Sequence, residues 1–542
     1  MASMRGPSAP TPIRSLSRSI KEGLEWWVGV RNEVSEHGVD RMPGPRVDYA
    51  RLLPLVRRAV VRGYVSLDSA WFVHEMFTSG CKLGVDVEAF EQSRKGTRWH
   101  RNYKSATEHR APISKGIRKR LEKGTSYCLG RMNKECLCKL PSNSIIFPMG
   151  GVAKKLERDE WRPTSDHTKS EFNLYCSLAG LEHSLTAEKE VEELFRAGRY
   201  MAVGDVADAF PLIPLSPLLW KWFFFVWFNP YDETDPADYL FNSIRADFGS
   251  KGAPGCFKIL FVDVLVGTAR SELIVTLPMP IHVDDFALIG SLKSMVDDEM
   301  LQLGKFLARF NVGLKDLKER MAAQYQLMIG FLWDSVELSR QLPEEKLAAY
   351  LHAWRSHANQ RSLTLRELQS DNGTLHRGIK TLPPGAGIFV ANVLMAARGL
   401  NLPWQKRRVN GAMRRDYRMV SDLVEKCLGR GWFSFDNFQR APAVDTDASK
   451  SPSFAGGGYF SRCGRFSWWV YGSRARRCCI DELEGDTAAG AIEDLGEAGL
   501  LHRKILPLNI DNQAFECSAR KGWSRTDRLN RILFYVFQSR RG

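Results

Sequence analysis

The chain has 542 residues, a formal net charge of +15, 44% hydrophobic residues and 11 cysteines. A length of that order suggests about three to four domains, the apolar content can fill several cores, and the positive excess favours a polyanionic partner such as nucleic acid or an anionic membrane surface. A bilayer-spanning protein, a secreted one and a disulfide scaffold are all disfavoured. The nearest apolar run, residues 218–228, is short and interrupted by Lys221, the N-terminus lacks the apolar core of a secretory signal, and the cysteines lack framework spacing. Cys136/Cys138 and Cys478/Cys479 are spaced too closely for zinc ligands. Free thiols in an intracellular compartment, cytoplasmic or nuclear, with no membrane partner, are the expectation.

Residues 1–45 are rich in Ser, Pro, Gly and Arg and read as a flexible basic tail with one short helix near residues 20–30. Residues 46–140 read as mainly helical. Within them, Arg94, Lys95, Arg98, Arg101, Lys104, Arg110, Lys115, Arg118, Lys119 and Arg120 form a dense basic stretch. It is either a solvated face or a phosphate-tracking surface, the latter favoured by Trp99 and Tyr103 among the charges. Lys154-Lys155 closes one β-prone run and Trp161-Arg162 opens the next, as in a hairpin with cations on one face.

The apolar run from Tyr200 ends in Asp205-Val206-Ala207-Asp208-Ala209-Phe210. Asp205 is either a helix cap after a strand or a carboxylate facing a second acidic site. An aromatic strand region follows over residues 218–228, then the Gly-rich turn Phe248-Gly249-Ser250-Lys251-Gly252, which opens a helical pattern and leaves backbone N–H groups free for an anion. His282-Val283-Asp284-Asp285 lies between two apolar runs and reads as strand, tight turn, strand. Adjacent carboxylates repel unless a cation neutralises them, and Mg²⁺ takes such oxygen ligands; the alternative is a polar turn.

Pro343-Glu344-Glu345 starts a helix, Thr364-Leu365-Arg366-Glu367 is a capping box for the next, and residues 346–440 read as mainly helical. The last hundred residues carry a strand ending in Asp447, a helix with Glu484 and a strand ending in Asp511, a set able to hold a divalent metal.

Taken in series, these pieces resemble the reverse transcriptases of LTR and DIRS-type retroelements, over about residues 128–540. Lys154-Lys155 with Trp161-Arg162 is similar to the fingers motif, Asp205 to Phe210 to palm motif A, Phe248 to Phe257 to motif B, and His282 to Asp285 to motif C. Lys318 and Ile329-Gly330-Phe331 are similar to the two palm motifs that follow, Asp447, Glu484 and Asp511 to an RNase H tail, and Gly522, Arg525 and Leu529-Asn530 to the DIRS branch.

The resemblance implies an α+β fold: a right-hand polymerase with a truncated C-terminal RNase H-like α/β domain. Fingers and palm would occupy residues 141–345, a helical thumb or connection 346–440, and the RNase H-like domain 441–542. It implies an RNA-directed DNA polymerase that adds dNTPs to a primer on an RNA or DNA template, with an RNA template, a DNA primer or RNA–DNA hybrid and dNTPs as partners and two Mg²⁺ or Mn²⁺ ions in the polymerase site. Asp205, Asp284 and Asp285 would hold the metals, and Lys318 would give a proton to pyrophosphate. Lys154, Lys155, Arg162, Asp208, Ala209, Phe210, Phe248 and Gly249 would bind the dNTP, with Phe210 excluding a 2′-hydroxyl, and His282 would support the primer end.

Two departures stand out. The family usually has Tyr or Phe where this chain has His282, and retroviral RNase H uses a fourth acid about fifty residues beyond the third, past Gly542. The nuclease is therefore expected to be incomplete and the chain a fragment or decayed copy. The rival readings are a catalytically inactive nucleic-acid-binding relic and an RNA-dependent RNA polymerase, the latter opposed by Phe210 and the tail.

Overall fold

The computed structural model describes residues 19–513, apart from 40–41, 45, 133, 156–159, 183–186, 316–320, 383–385, 434–438, 474, 476–477, 502–503 and 511. The chain divides into two units, Met1–Glu190 with Ala202–Ala322, and Val191–Met201 with Ala323–Gly542.

In the first unit the expected short N-terminal helix is a full one, Ile20–His37, closed at its start by a capping box between Ser19 and Glu22. It is packed rather than part of a tail. The Trp26 ring lies 5.1 Å from that of Tyr127, and the Trp27 indole N–H donates to Asn242 at 2.9 Å. A Cβ on Gly23 would stand 1.6 Å from the Leu129 carbonyl, so only glycine permits this approach.

The aromatic run over residues 218–228 is a strand only in its second half, Phe224–Phe228; Trp220–Trp222 forms a 3₁₀ turn before it. That strand sits in a five-stranded sheet, ordered Arg98–Trp99, Ile145–Ile146, Phe224–Phe228, Asp238–Ser243, Ser126–Arg131. Trp220, Trp222, Phe223, Phe224, Phe225 and Trp227 are all buried, which explains a run hydrophobic at successive positions rather than alternating. A separate hairpin pairs Met149–Lys155 with Glu160–Ser165, and a three-stranded sheet carries Tyr200–Asp205, Asp285–Gly290 and Ile281–His282 in that order.

The second unit contains the helices Glu344–Asn359, Leu365–Ile379 and Gly411–Lys426. The second of these has the expected capping box between Thr364 and Glu367. The region is not helical throughout, since Ser362–Thr364 pairs with Lys406–Arg408 as a small antiparallel ribbon. Towards the C-terminus a four-stranded sheet runs Phe466–Val470, Ala455–Ser461, Val444–Lys450, Leu508–Ile510. The first three strands are antiparallel neighbours, and the last pair is parallel. The helix Ile480–Glu497 covers one face, with Leu483 against Ala448 and Ala455, and Ala491 and Leu495 against Val444 and Tyr459.

Every cysteine described is a free thiol, and no described helix is long and apolar enough to cross a membrane.

A buried polar network ties the helices of the second unit together. His357 Nδ1 lies 2.8 and 3.0 Å from the Asp371 oxygens, one of which also accepts from the Tyr417 hydroxyl at 2.5 Å. The Asp371 hydrogen bond raises the His357 pKa above its ordinary value, against the opposing effect of burial. A raised histidine pKa contributes stability that is complete below about pH 6.5 and is lost as pH rises through the folded-state value. Asp371→Asn should cost about 2 kcal/mol at pH 6 and flatten the pH dependence above that point. Urea denaturation at stepped pH checks this, and an unchanged pH profile would remove His357 from the account.

Candidate active site

The acidic hairpin forms as its sequence suggests. Asp285 pairs with His282 and Phe286 with Ile281, leaving Val283 and Asp284 at the turn. Val283 has φ +58°, a left-handed conformation that costs a β-branched residue free energy. Strain of this kind persists where the surroundings fix the backbone, and here they do.

The strand ending in Asp205 lies beside the hairpin. The Val206 N–H donates to the Asp284 carbonyl at 3.0 Å, and the Lys315 N–H to the Asp205 carbonyl at 2.9 Å. The Ala207 N–H donates to the Gly313 carbonyl at 2.9 Å. Gly204 permits this packing, because a Cβ there would come within 2.2 Å of the buried Phe286 ring. Residues about eighty positions apart in the chain are thus held side by side at one end of a small sheet. Asp205 is buried, while His282, Asp284 and Asp285 are half-buried.

The carboxylates are not gathered around one point. Among the described residues, no group of three or more His, Cys, Asp or Glu side chains is placed to hold a metal ion. Asp205 Oδ2 instead accepts from the Lys315 ammonium at 2.5 Å. Asp208, at φ +52°, pairs with Lys123 at the end of the helix Arg110–Glu122. Sequence reasoning missed both lysines. Neither belongs to a periodic pattern, and only the fold shows which acid each meets.

A second cluster gathers Arg162, Phe248 and Phe210. The Arg162 guanidinium lies over the Phe248 ring at 4.6 Å, and Phe248 meets the buried Phe210 edge-on at 4.9 Å. Phe257 adds a further edge contact to Phe210 at 6.2 Å. Asp247 holds the turn in place. It accepts from Ser165, from Ser250 at 3.3 Å, and lies 2.8 Å from His167 Nε2. Burial pushes the Asp247 carboxyl up, but His167, Arg120 and Ser165 together hold it below the usual carboxylate range. Ala209 is buried just before Phe210.

On the Met149–Lys155 strand, Val152 is paired with Arg162 and Lys155 with Glu160; the side chains of Lys154 and Lys155 lie outside the described residues, as does Lys318.

Part of the basic stretch turns inward. Arg94 and Arg98 both pair with Glu171, and Arg110, Arg118 and Arg120 donate to the carbonyls of Asp235, Pro230 and Pro163. These five arginines brace loops. Trp99 and Tyr103 remain exposed, at 45% and 40%.

In the C-terminal sheet, Asp447 is exposed, and Glu484 is buried with its Oε1 accepting from the Ala448 N–H at 2.9 Å. Glu484 thus meets the backbone of the residue that follows Asp447. Asp511 lies outside the described residues.

No family model and no curated protein matches the chain. Among solved structures it is similar to the foamy viral protease-reverse transcriptase dRH in complex with double-stranded DNA, at 15% identity and a TM-score of 0.43, covering 81% of this chain and 68% of that one. It is also similar to the foamy viral protease-reverse transcriptase in complex with RNA/DNA hybrid, at 16% identity and 0.43, covering 82% and 54%. For the same protein in complex with double-stranded DNA the values are 14% and 0.42, covering 88% and 95%.

Gly249 has φ +118°, and a Cβ there would stand 1.9 Å from the Ser165 carbonyl oxygen. Gly249→Ala should therefore destabilise the first unit by about 2 kcal/mol or more. Denaturant midpoints check this, and a wild-type midpoint would show that the turn is free to move.

Proposed function

We propose that the chain is an RNA-directed DNA polymerase of an LTR or DIRS-type retrotransposon, adding dNTPs to a primer on an RNA template. The observation that carries this reading is the Val206 N–H to Asp284 carbonyl bond, which sets Asp205 beside the Asp284-Asp285 turn. Oxygen donors of this kind suit Mg²⁺ or Mn²⁺, with Asp205, Asp284 and Asp285 as the holding residues, though their side chains must turn towards one another to share an ion. When bound, a pair of such ions lowers the barrier to in-line phosphoryl transfer.

The chain's own residues supply the rest. Arg162, exposed above Phe248, offers its planar fork to the triphosphate, as Lys154 and Lys155 offer their charges. The backbone amides of Asp208 and Ala209 face the same group, Gly249 keeps the turn beside it narrow, and His282 supports the primer end. Phe210, fixed between Phe248 and Phe257, presents a rigid aromatic wall to the sugar and leaves no room for a 2′-hydroxyl. Fingers, palm and thumb, in this reading, are drawn from residues 141–440. Lys318 retains the role of proton donor to pyrophosphate.

The C-terminal region is proposed as an RNase H-like module. What supports it is the strand order with one parallel pair and the approach of Glu484 to the residue after Asp447. Asp447, Glu484 and Asp511 would be its metal ligands.

A second reading, a nucleic-acid-binding relic without activity, is favoured by the ion pair of Asp205 with Lys315, which occupies a carboxylate oxygen that a metal would use.

Purified protein should extend a DNA primer on an RNA template with dNTPs and Mg²⁺, and Asp284→Asn should lower the rate by at least about a hundredfold. Extension by the wild type no greater than the background left in Asp284→Asn would leave the relic reading. Phe210→Val should admit ribonucleotides, measured as the ratio of dNTP to rNTP incorporation; an unchanged ratio would remove Phe210 from sugar selection.

A further inference from the structure

Lys315 does not meet Asp205 as one surface side chain meets another. Its backbone N–H is bonded to the Asp205 carbonyl at 2.9 Å, Leu314 is bridged antiparallel to Val206, and Gly313 accepts from Ala207 at 2.9 Å. The segment runs in register beside the end of the acidic strand, so the lysine is delivered to this carboxylate by the backbone. Its ammonium then lies 2.5 Å from Asp205 Oδ2.

The two partners differ in environment. The Asp205 side chain is 11% exposed and that of Lys315 51%. The carboxylate is fixed and poorly screened by solvent, whereas the lysine has an unbranched stem with water on one side, able to carry its charge outward. An ammonium and a divalent cation cannot both occupy one carboxylate oxygen, because like charges at contact distance repel strongly.

We propose that the Lys315 ammonium competes with a divalent cation for the Asp205 carboxylate, so that Lys315 sets how tightly the site takes its ion. The inference rests on the polymerase reading only in taking Asp205 as a metal ligand. Lys315 acts here as a built-in counter-cation: it neutralises Asp205 beside the Asp284-Asp285 turn, and it turns to solvent when the ion binds. It also accounts for the finding that, among the described residues, no three such donors are placed to hold an ion.

The test is Mn²⁺ binding by the full-length protein without primer or nucleotide, read as free Mn²⁺ by electron paramagnetic resonance. Binding that disappears in Asp205→Asn is assigned to this site. Lys315→Met should tighten that binding at least about threefold, the effect of removing a partly exposed ion pair, while Lys315→Arg should bind as the wild type does. Lys315→Gln, a second neutral replacement, should reproduce the Met result and guards against a folding defect in either variant. Equal affinity in the wild type and both neutral variants, with binding still lost in Asp205→Asn, would overturn the proposal and leave the polymerase reading standing. If Asp205→Asn itself changes nothing, Asp205 is no metal ligand and both fall.

Discussion

One backbone hydrogen bond organises the candidate site. The Val206 N–H reaches the Asp284 carbonyl, and through it the strand carrying Asp205 is joined to the hairpin carrying Asp284 and Asp285. Three like-charged side chains would separate if nothing held their backbones together. Here the sheet holds them, the buried Phe286 beneath Gly204 makes the approach close, and the strained Val283 closes the turn that carries Asp284. The repulsion that remains is met at Asp205 by Lys315 and at Asp208 by Lys123. Whatever neutralises the acids therefore also steadies the strands.

The second cluster obeys the same logic with different chemistry. Arg162, Phe248 and Phe210 come from three separate segments, and none would hold its place alone. The Asp247 network fixes the turn, and Gly249 fits where no side chain could. A guanidinium over an aromatic face stacks without using its hydrogen-bonding edge, which suits the phosphate-binding role proposed for Arg162. The basic stretch shows that charge composition alone misleads. Five of its arginines are bonded to Glu171 or to backbone carbonyls, where a planar fork braces loops.

Local signals were legible in the sequence wherever local physics decides structure. The Asp284 turn, the strand ending at Asp205 and the capping box at Thr364 all formed where residue types and spacing placed them. What escaped the sequence was non-local. The ribbon of Ser362–Thr364 with Lys406–Arg408 joins segments some forty residues apart, and no periodicity announces it. The helix at residues 20–37 outruns its local signal, because its buried face of Leu24, Trp27 and Val34 continues past residue 30 on Val34 alone, among polar neighbours. Lys315 had no pattern at all, and its meaning lies wholly in the register of residues 313–315 against residues 205–207.

The central claim is that residues near 205 and near 284 share one divalent-cation locus, and affinity cleavage tests it most directly. With Fe²⁺ in place of Mg²⁺, ascorbate and peroxide generate hydroxyl radicals that cut the polypeptide only close to the bound ion. The account predicts cuts in both the 203–208 and 282–286 segments, both lost on adding excess Mg²⁺ and both lost in Asp205→Asn and in Asp284→Asn. Cleavage confined to one segment, or surviving either substitution, would contradict it.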